Sequence, residues 1–428
     1  TYAFPDHWKN RPFSVAFTKL MSNWHQLRLK TDSASVLFAV GEVVKVEAMH
    51  KTTDIYGPIP YTRFGLETPV PYDSQEAVYM RFFAELNHAI GVLSSFDRLN
   101  PNAKPLDKFD LIYGSDLKKW IRFANSLKLR LAMRCRAVYD GAQKLAEEAV
   151  NNAYGVLEDN ADNAVMQTVG ALSFTYNNPF YNIYSPEGYN EDRMGATMDA
   201  YLNGFADPRL PKFFAKAKGD VYRGLRNGMR NGKDFQGDER LSMPTITRAT
   251  PYVWMTAAEV WLLRAEGALF GWNMGGTPRE LYEQGITTSL DQYGLASAAE
   301  AYLASTAKPS AYPGLKSSVA AEAPSDITPA WDEDATKEKK LERIITQKWI
   351  AIYPLGQEAW SEFRRTGYPK LFPVVDNLSN GKVNTNVQVR RVPFPASEYV
   401  GNRAEVEKAV QLLGGEDTGG TRLWWDKQ

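Results

Sequence analysis

The chain has little of what covalent, metal or phosphate chemistry needs. One cysteine and four histidines occur in 428 residues. The lone Cys135 rules out an intrachain disulfide, so cysteine usage says nothing about redox compartment. It lies in LKLRLAMRCRAV, a helical pattern in which a small buried hydrophobe is expected. His7, His25, His50 and His88 are scattered and form no HExxH pair. No GxSxG elbow occurs. The glycines of GLRNGMRNGKDFQGD match neither the dinucleotide fingerprint nor the P-loop, so no phosphate cradle is expected. Excess charge is also missing. Fifty basic residues balance fifty acidic ones, which argues against nucleic acid as a partner. No apolar run reaches the ~18 residues of a membrane-spanning helix. A glycosidase needs two carboxylates roughly 5–10 Å apart across a cleft, and no such pair stands out among the acidic residues. No cofactor and no catalytic residue is expected.

What the chain does have is length, helical periodicity and aromatic side chains. A single core stops growing at about 250–300 residues, so two lobes, or an elongated α-solenoid with an attached region, are expected. Phe13, Phe17, Leu20, Trp24 and Leu27 line one helix. Val36, Val40, Val43, Val44 and Ala48 line a second, with Ser33 as its cap; it ends before the loop TDIYGPIPYT at 53–62. A third, from residue 72 to 95, starts at Asp73 or Ser74. A fourth begins near Asp116 and carries Trp120, Phe123, Leu127 and Leu131; its many Lys and Arg read as a solvated face with snorkelling stems. Thr256 with Glu259 reads as a capping box opening the helix before residues 280–293. Residues 341–372 form a corner. Leu341, Ile344, Ile345, Trp349 and Ile352 make an apolar face into which Lys348 intrudes, and Trp349, Trp360 and Phe363 are placed to interlock. Pairing 13–51, 74–139, 254–293 and 336–366 gives four helical units of tetratricopeptide type, whose sequence signature is degenerate.

Two stretches break the periodicity. FTYNNPFYNIYSPEGYN at 174–190 is punctuated by Pro, Gly and Asn. Residues 297–334 are rich in Ala, Ser and Pro and carry Tyr302, Tyr312 and Trp331, as a surface loop or lid would. Flat rings beside amides suit a neutral sugar: the ring stacks on C–H faces and the amide bonds hydroxyls. The same rings could equally pack on the scaffold. The expected ligand contacts are Trp8, Tyr176, Tyr181, Tyr184 and Trp331. Asp159, Asn160, Asp162 and Asn163 offer oxygen donors on a tight loop, but their spacing does not fit an EF-hand and no metal is expected.

The phrase TQKWIAIYPLGQEAWSEFRRTGYPKL resembles the SusD/RagB family, particularly its SusD-like nutrient-binding branch. The resemblance recurs in D-x-Y-G-x-x-P-Y-T after the second helix, in 110–134, in DPRL, in MTAAEV…LRAE, and in R-x-P-F-P-x-x-E and TRLWWD near the end. It implies a mainly α fold: one SusD-like unit over 1–428, with a tetratricopeptide-like scaffold of about four helix pairs at 13–150, 250–295 and 336–372. Loop-rich ligand-binding insertions then fall at 170–250 and 297–334, and the segment 386–428 packs on the scaffold. It also implies binding without catalysis. An oligosaccharide is the expected ligand, delivered to a SusC-like TonB-dependent transporter at the outer surface of the outer membrane of a Bacteroidota cell. A helical glycan-active enzyme, or a peptide- or glycopeptide-binding member of the family, is the alternative. The chain starts at Thr1 without a methionine or signal, so the lipoprotein signal and acylated cysteine of the family are expected ahead of it, and the lipid anchor rests on resemblance alone.

Overall fold

A computed structural model describes residues 2–168, 177–230 and 232–427. The helices in chain order begin with α1 (Asp6–Val15), which continues through a π-helical turn into α2 (Ser22–Lys30). Then come α3 (Val36–Tyr56), α4 (Gln75–Leu99), α5 (Leu117–Arg134) and α6 (Ala142–Val150). Strand β1 (Ala164–Met166) precedes α7 (Tyr181–Tyr184), α8 (Ala196–Gly204) and α9 (Leu210–Phe213). Strand β2 (Tyr252–Met255) leads into α10 (Ala257–Leu269), α11 (Pro278–Gln292), α12 (Ala299–Leu303), α13 (Lys337–Ala351) and α14 (Gly356–Thr366). The chain closes with α15 (Ala396–Gly401) and α16 (Arg403–Leu413). The chain divides into two compact units: Tyr2–Val156 with Leu378–Gln428, and Leu157–Asn377.

In the first unit, α3, α4, α5 and α6 pack each on the next. Ser35, rather than Ser33, caps α3 by accepting from the Phe38 N–H, and the helix runs on to Tyr56. The expected loop therefore starts later, at Gly57, whose φ of +86° reverses the chain where a side chain would be strained. Ser74 and Asp116 cap α4 and α5. The cationic face of α5 is not solvated as expected: Lys128, Arg130 and Arg134 are all buried. Their charge is met by carboxylates from other helices, with Arg134 2.7 Å from Asp54 and Arg130 3.3 Å from Glu47. Asp54 also accepts from the Tyr79 hydroxyl at 2.6 Å and the Trp425 indole at 2.9 Å. Glu85 collects Lys45, Arg81 and Tyr61 in the same way, at 2.6–2.7 Å.

The second unit is built on α10, which packs against both α11 and α13. Gly285 of α11 allows that approach: a Cβ there would stand 2.6 Å from the Leu262 Cγ of α10. Thr256 caps α10, but the reciprocal capping box belongs to Thr277 and Glu280 at the start of α11. Glu259 turns inward to Lys348, 3.5 Å away. The α13–α14 corner consequently rests on charge. Lys348 also meets Glu358 at 3.3 Å and Glu362 at 3.1 Å. Arg365 bridges Glu362 and Glu266, each at 2.6 Å. Trp349 packs edge-on against Tyr201. Strand β1 pairs antiparallel with β2. The Asn160–Asn163 turn clips this unit together. Asn160 Nδ2 donates to the Thr288 carbonyl and to Asp291, and the Asn163 Oδ1 accepts the Ala257 N–H at 2.7 Å.

Burial by itself would raise the Glu47 carboxyl, but Lys51, His50 and Arg130 outweigh it and hold it down at about 2. A depressed acid stabilises the fold fully above its ordinary value of 4.5, and that contribution is lost as pH falls towards about 2. Glu47→Gln is expected to lower the melting temperature at neutral pH. The gap to the parent protein should narrow in thermal melts once the pH drops below about 4.5.

Candidate functional site

The irregular stretch 177–193 is held by backbone and amide bonds more than by packing. Asn178, which is buried, gives its side-chain N–H to the Thr250 carbonyl at 3.1 Å and its backbone N–H to the Arg248 carbonyl at 3.0 Å. Phe180 packs on Tyr252 of β2 with ring centroids 5.8 Å apart. The loop then closes on itself, with the Tyr189 N–H on the Asn182 carbonyl at 2.8 Å. Gly188 makes this closure possible, because a Cβ there would stand 2.0 Å from that same carbonyl oxygen. Gln236 donates to the Tyr189 carbonyl at 2.5 Å and fastens the loop to 235–241.

This leaves specific groups facing outward. Tyr189 is 56 % exposed. Tyr181 is half-buried, with the Arg248 guanidinium carbon 5.1 Å from its ring centroid; Arg248 is itself paired with Glu187. The Asn182 side chain is half-buried and has no partner among the described residues. Tyr184 lies edge-on beneath Tyr181, centroids 5.9 Å apart, and is buried. Burial, with a smaller push from Tyr181, raises its hydroxyl to about 12.

Next to the loop a cleft of about 490 Å³ opens between Pro186, Asn190 and Arg193 on one wall and 215–218 with 237–243 on the other. The Ala215 N–H on Met243 and the Lys218 N–H on Glu239, both at 2.8 Å, align the second wall. Leu241 and Met243 give it apolar surface. Its carboxylates are engaged. Asp238 is gripped by Arg240, which holds it below the usual carboxylate range. Glu239 pairs with Lys218. Asp192 is not among the lining residues; burial and then Glu191 raise it, with Arg193 opposing.

The other expected contacts are dispersed. Tyr176 lies outside the described residues. Trp331 is half-buried against Tyr282, 5.1 Å between centroids, with Lys340 over its ring. Trp8 belongs to the first unit, where it is 53 % exposed on α1 beside His7. The segment 297–334 is not a free lid. Tyr302 and Tyr312 are buried, their hydroxyls on Asp207 at 2.6 Å and on the Gly224 carbonyl at 2.7 Å. Tyr189, Arg193 and Arg248 were not anticipated. Tyr189 sat inside the aromatic stretch, whereas nothing local marks the two arginines. Among the described residues no group of three or more His, Cys, Asp or Glu is gathered as a metal would need, and no helix is long and apolar enough to cross a membrane.

Residues 1–426 match the family model described as Susd and RagB outer membrane lipoprotein. Among solved structures, the chain is similar to a chitin-binding SusD homolog from Flavobacterium johnsoniae, with 40% identity and a TM-score of 0.93 over 100% of this chain and 89% of that one. A SusD homolog from Bacteroides thetaiotaomicron and one from Bacteroides uniformis each share 39% identity and a TM-score of 0.90, over 100% of this chain and 89% of theirs. No curated protein matches.

If Gly188 fixes the loop, Gly188→Ala is expected to break the Tyr189–Asn182 closure. Amide hydrogen exchange at Tyr189 should accelerate at least about tenfold, which corresponds to roughly 1.4 kcal/mol of opening free energy, while the melting temperature stays near the parent value.

Proposed function

The chain belongs to the SusD/RagB family of outer-membrane lipoproteins, and from that premise we propose that it captures an oligosaccharide at the cell surface without cleaving it and passes it to a SusC-like TonB-dependent transporter. A lipid anchor on a cysteine ahead of Thr1 tethers it to the outer face of the outer membrane. The observation that carries the reading is the 181–190 loop. It presents the exposed Tyr189 ring, the half-covered Tyr181 ring and the unpartnered Asn182 amide on a backbone that Gly188 locks. Aromatic faces and a free amide are the groups a sugar needs, one for its C–H face and the other for its hydroxyls. Preorganised rings lose little conformational entropy on binding.

Tyr184 supports Tyr181 from beneath. Trp331, half-buried in the same unit, is a further and separate contact to test. The chitin-binding neighbour makes a chito-oligosaccharide the first ligand to try. Asp238 does not suit the general-acid role of a glycosidase. A glycosidase acid must hold its proton near neutral pH, and Asp238 is pushed the other way by Arg240.

Calorimetric titration with chitotetraose and other neutral oligosaccharides tests this. Tyr181→Ala and Tyr189→Ala are each expected to weaken binding about tenfold, the worth of one aromatic contact. The sugar should be recovered uncut, and the transporter should co-purify with the wild-type protein. Shortened products would favour the enzyme reading; unchanged affinity in both tyrosine variants would remove this loop from the site.

A further inference from the structure

Arg193 stands apart from the other cations around the 490 Å³ cleft. Lys216 pairs with Asp220 at 2.9 Å, Lys218 with Glu239, and Arg240 with Asp238. Arg193 makes no direct ion pair among the described residues, although the charges of Asp238 and Asp192 act on it from farther away. Its Nη2 donates to the Asn190 Oδ1 at 2.7 Å, and its Nη1 to the carbonyls of Asp192 and Tyr184 at 2.8 and 3.5 Å. These neutral acceptors fix the guanidinium plane, and its charge is offset only in part by the two more distant carboxylates. Three of the five N–H groups are thereby used, and two, the Nε–H among them, are left over. Two donors on one planar cation are what a carboxylate or sulfate takes in a bidentate pair. Partial burial strengthens the case, since it lowers the arginine's pKa and an anion arriving there would relieve that cost.

We propose that this cleft is a subsite for an anionic sugar, one bearing a carboxylate or sulfate, with Arg193 as its anchor and the apolar surface of Leu241 and Met243 beneath the ring. The proposal rests on the reading of the chain as a glycan binder and adds charge selectivity to it. The tyrosine loop would hold neutral sugar units, and the adjoining cleft would select glycans decorated with an acid. Glu239 is part of the discrimination: its pairing with Lys218 keeps that second cation from reinforcing Arg193.

The probes are single sugars: glucose, glucuronate and glucose 6-sulfate. Each is titrated into the full chain while the Arg193 Nε–Hε resonance is followed, identified by its loss in Arg193→Gln. Glucuronate or the sulfate ester is expected to shift that signal, and which of the two binds tighter assigns the oxyanion; glucose should leave it unmoved. Affinity should fall severalfold between 0.05 and 0.5 M salt, as a screened charge contact does. It should rise two- to fivefold in Glu239→Gln, a surface change that leaves Arg193 and its bonds in place. Tyr181→Ala should not alter it. Binding of glucuronate in a folded Arg193→Gln, an equal response to glucose, or no gain in Glu239→Gln would overturn the proposal. Loss of neutral oligosaccharide binding with the anion response intact would instead overturn the tyrosine loop as a site and leave this one standing.

Discussion

Asp54 is fully shut off from water, and burial pushes it towards neutrality, yet Arg134 and His50 hold it below the usual carboxylate range. The helices of the first unit depend on this arrangement. A carboxylate on α3 faces a guanidinium on α5, 80 residues away in sequence, and α4 supplies the Tyr79 hydroxyl. Removing one partner of such a pair leaves a charge stranded in low dielectric, at a cost of about 3–5 kcal/mol. The second unit repeats the device with different residues, around Lys348 and Arg365. In both, apolar stripes bring the helices together, and the paired charges fix which helix lies beside which and in what register.

That division explains what could be read from the amino acids alone. The stripes of α3, α4, α10 and α13 follow a 3.6-residue period, and Ser74, Asp116 and Thr256 announce their helices, because both signals are local. The intrusion of Lys348 into an apolar face was visible; its partners Glu259, Glu358 and Glu362 were not, since they lie on other helices. Arg130 and Arg134 were misread as solvated for the same reason: a basic residue on a helix looks alike whether its carboxylate is water-exposed or stacked opposite it. Tyr302 and Tyr312 lie in a loop-like composition, but their hydroxyls found Asp207 and the Gly224 carbonyl, and burial followed.

The candidate site was half legible. Pro, Gly and Asn around closely spaced rings marked 174–190 as irregular, and Tyr181 and Tyr189 do face outward there. The cleft beside it has no local signature, because its walls come from 186–193, 215–218 and 237–243. Such a cleft emerges only when Ala215 and Lys218 bond across to Met243 and Glu239. Loops fixed by backbone bonds to a stable helical body can vary their side chains while keeping their shape.

The Trp425 indole on Asp54, and Arg390 on Asp426 at 2.7 Å, close the first unit with residues from the far end of the chain. A polypeptide leaving the ribosome or crossing a membrane therefore makes the second unit while the first still lacks its final piece. A copy released early would carry a finished second unit beside an open first one, with a buried acid short of one donor.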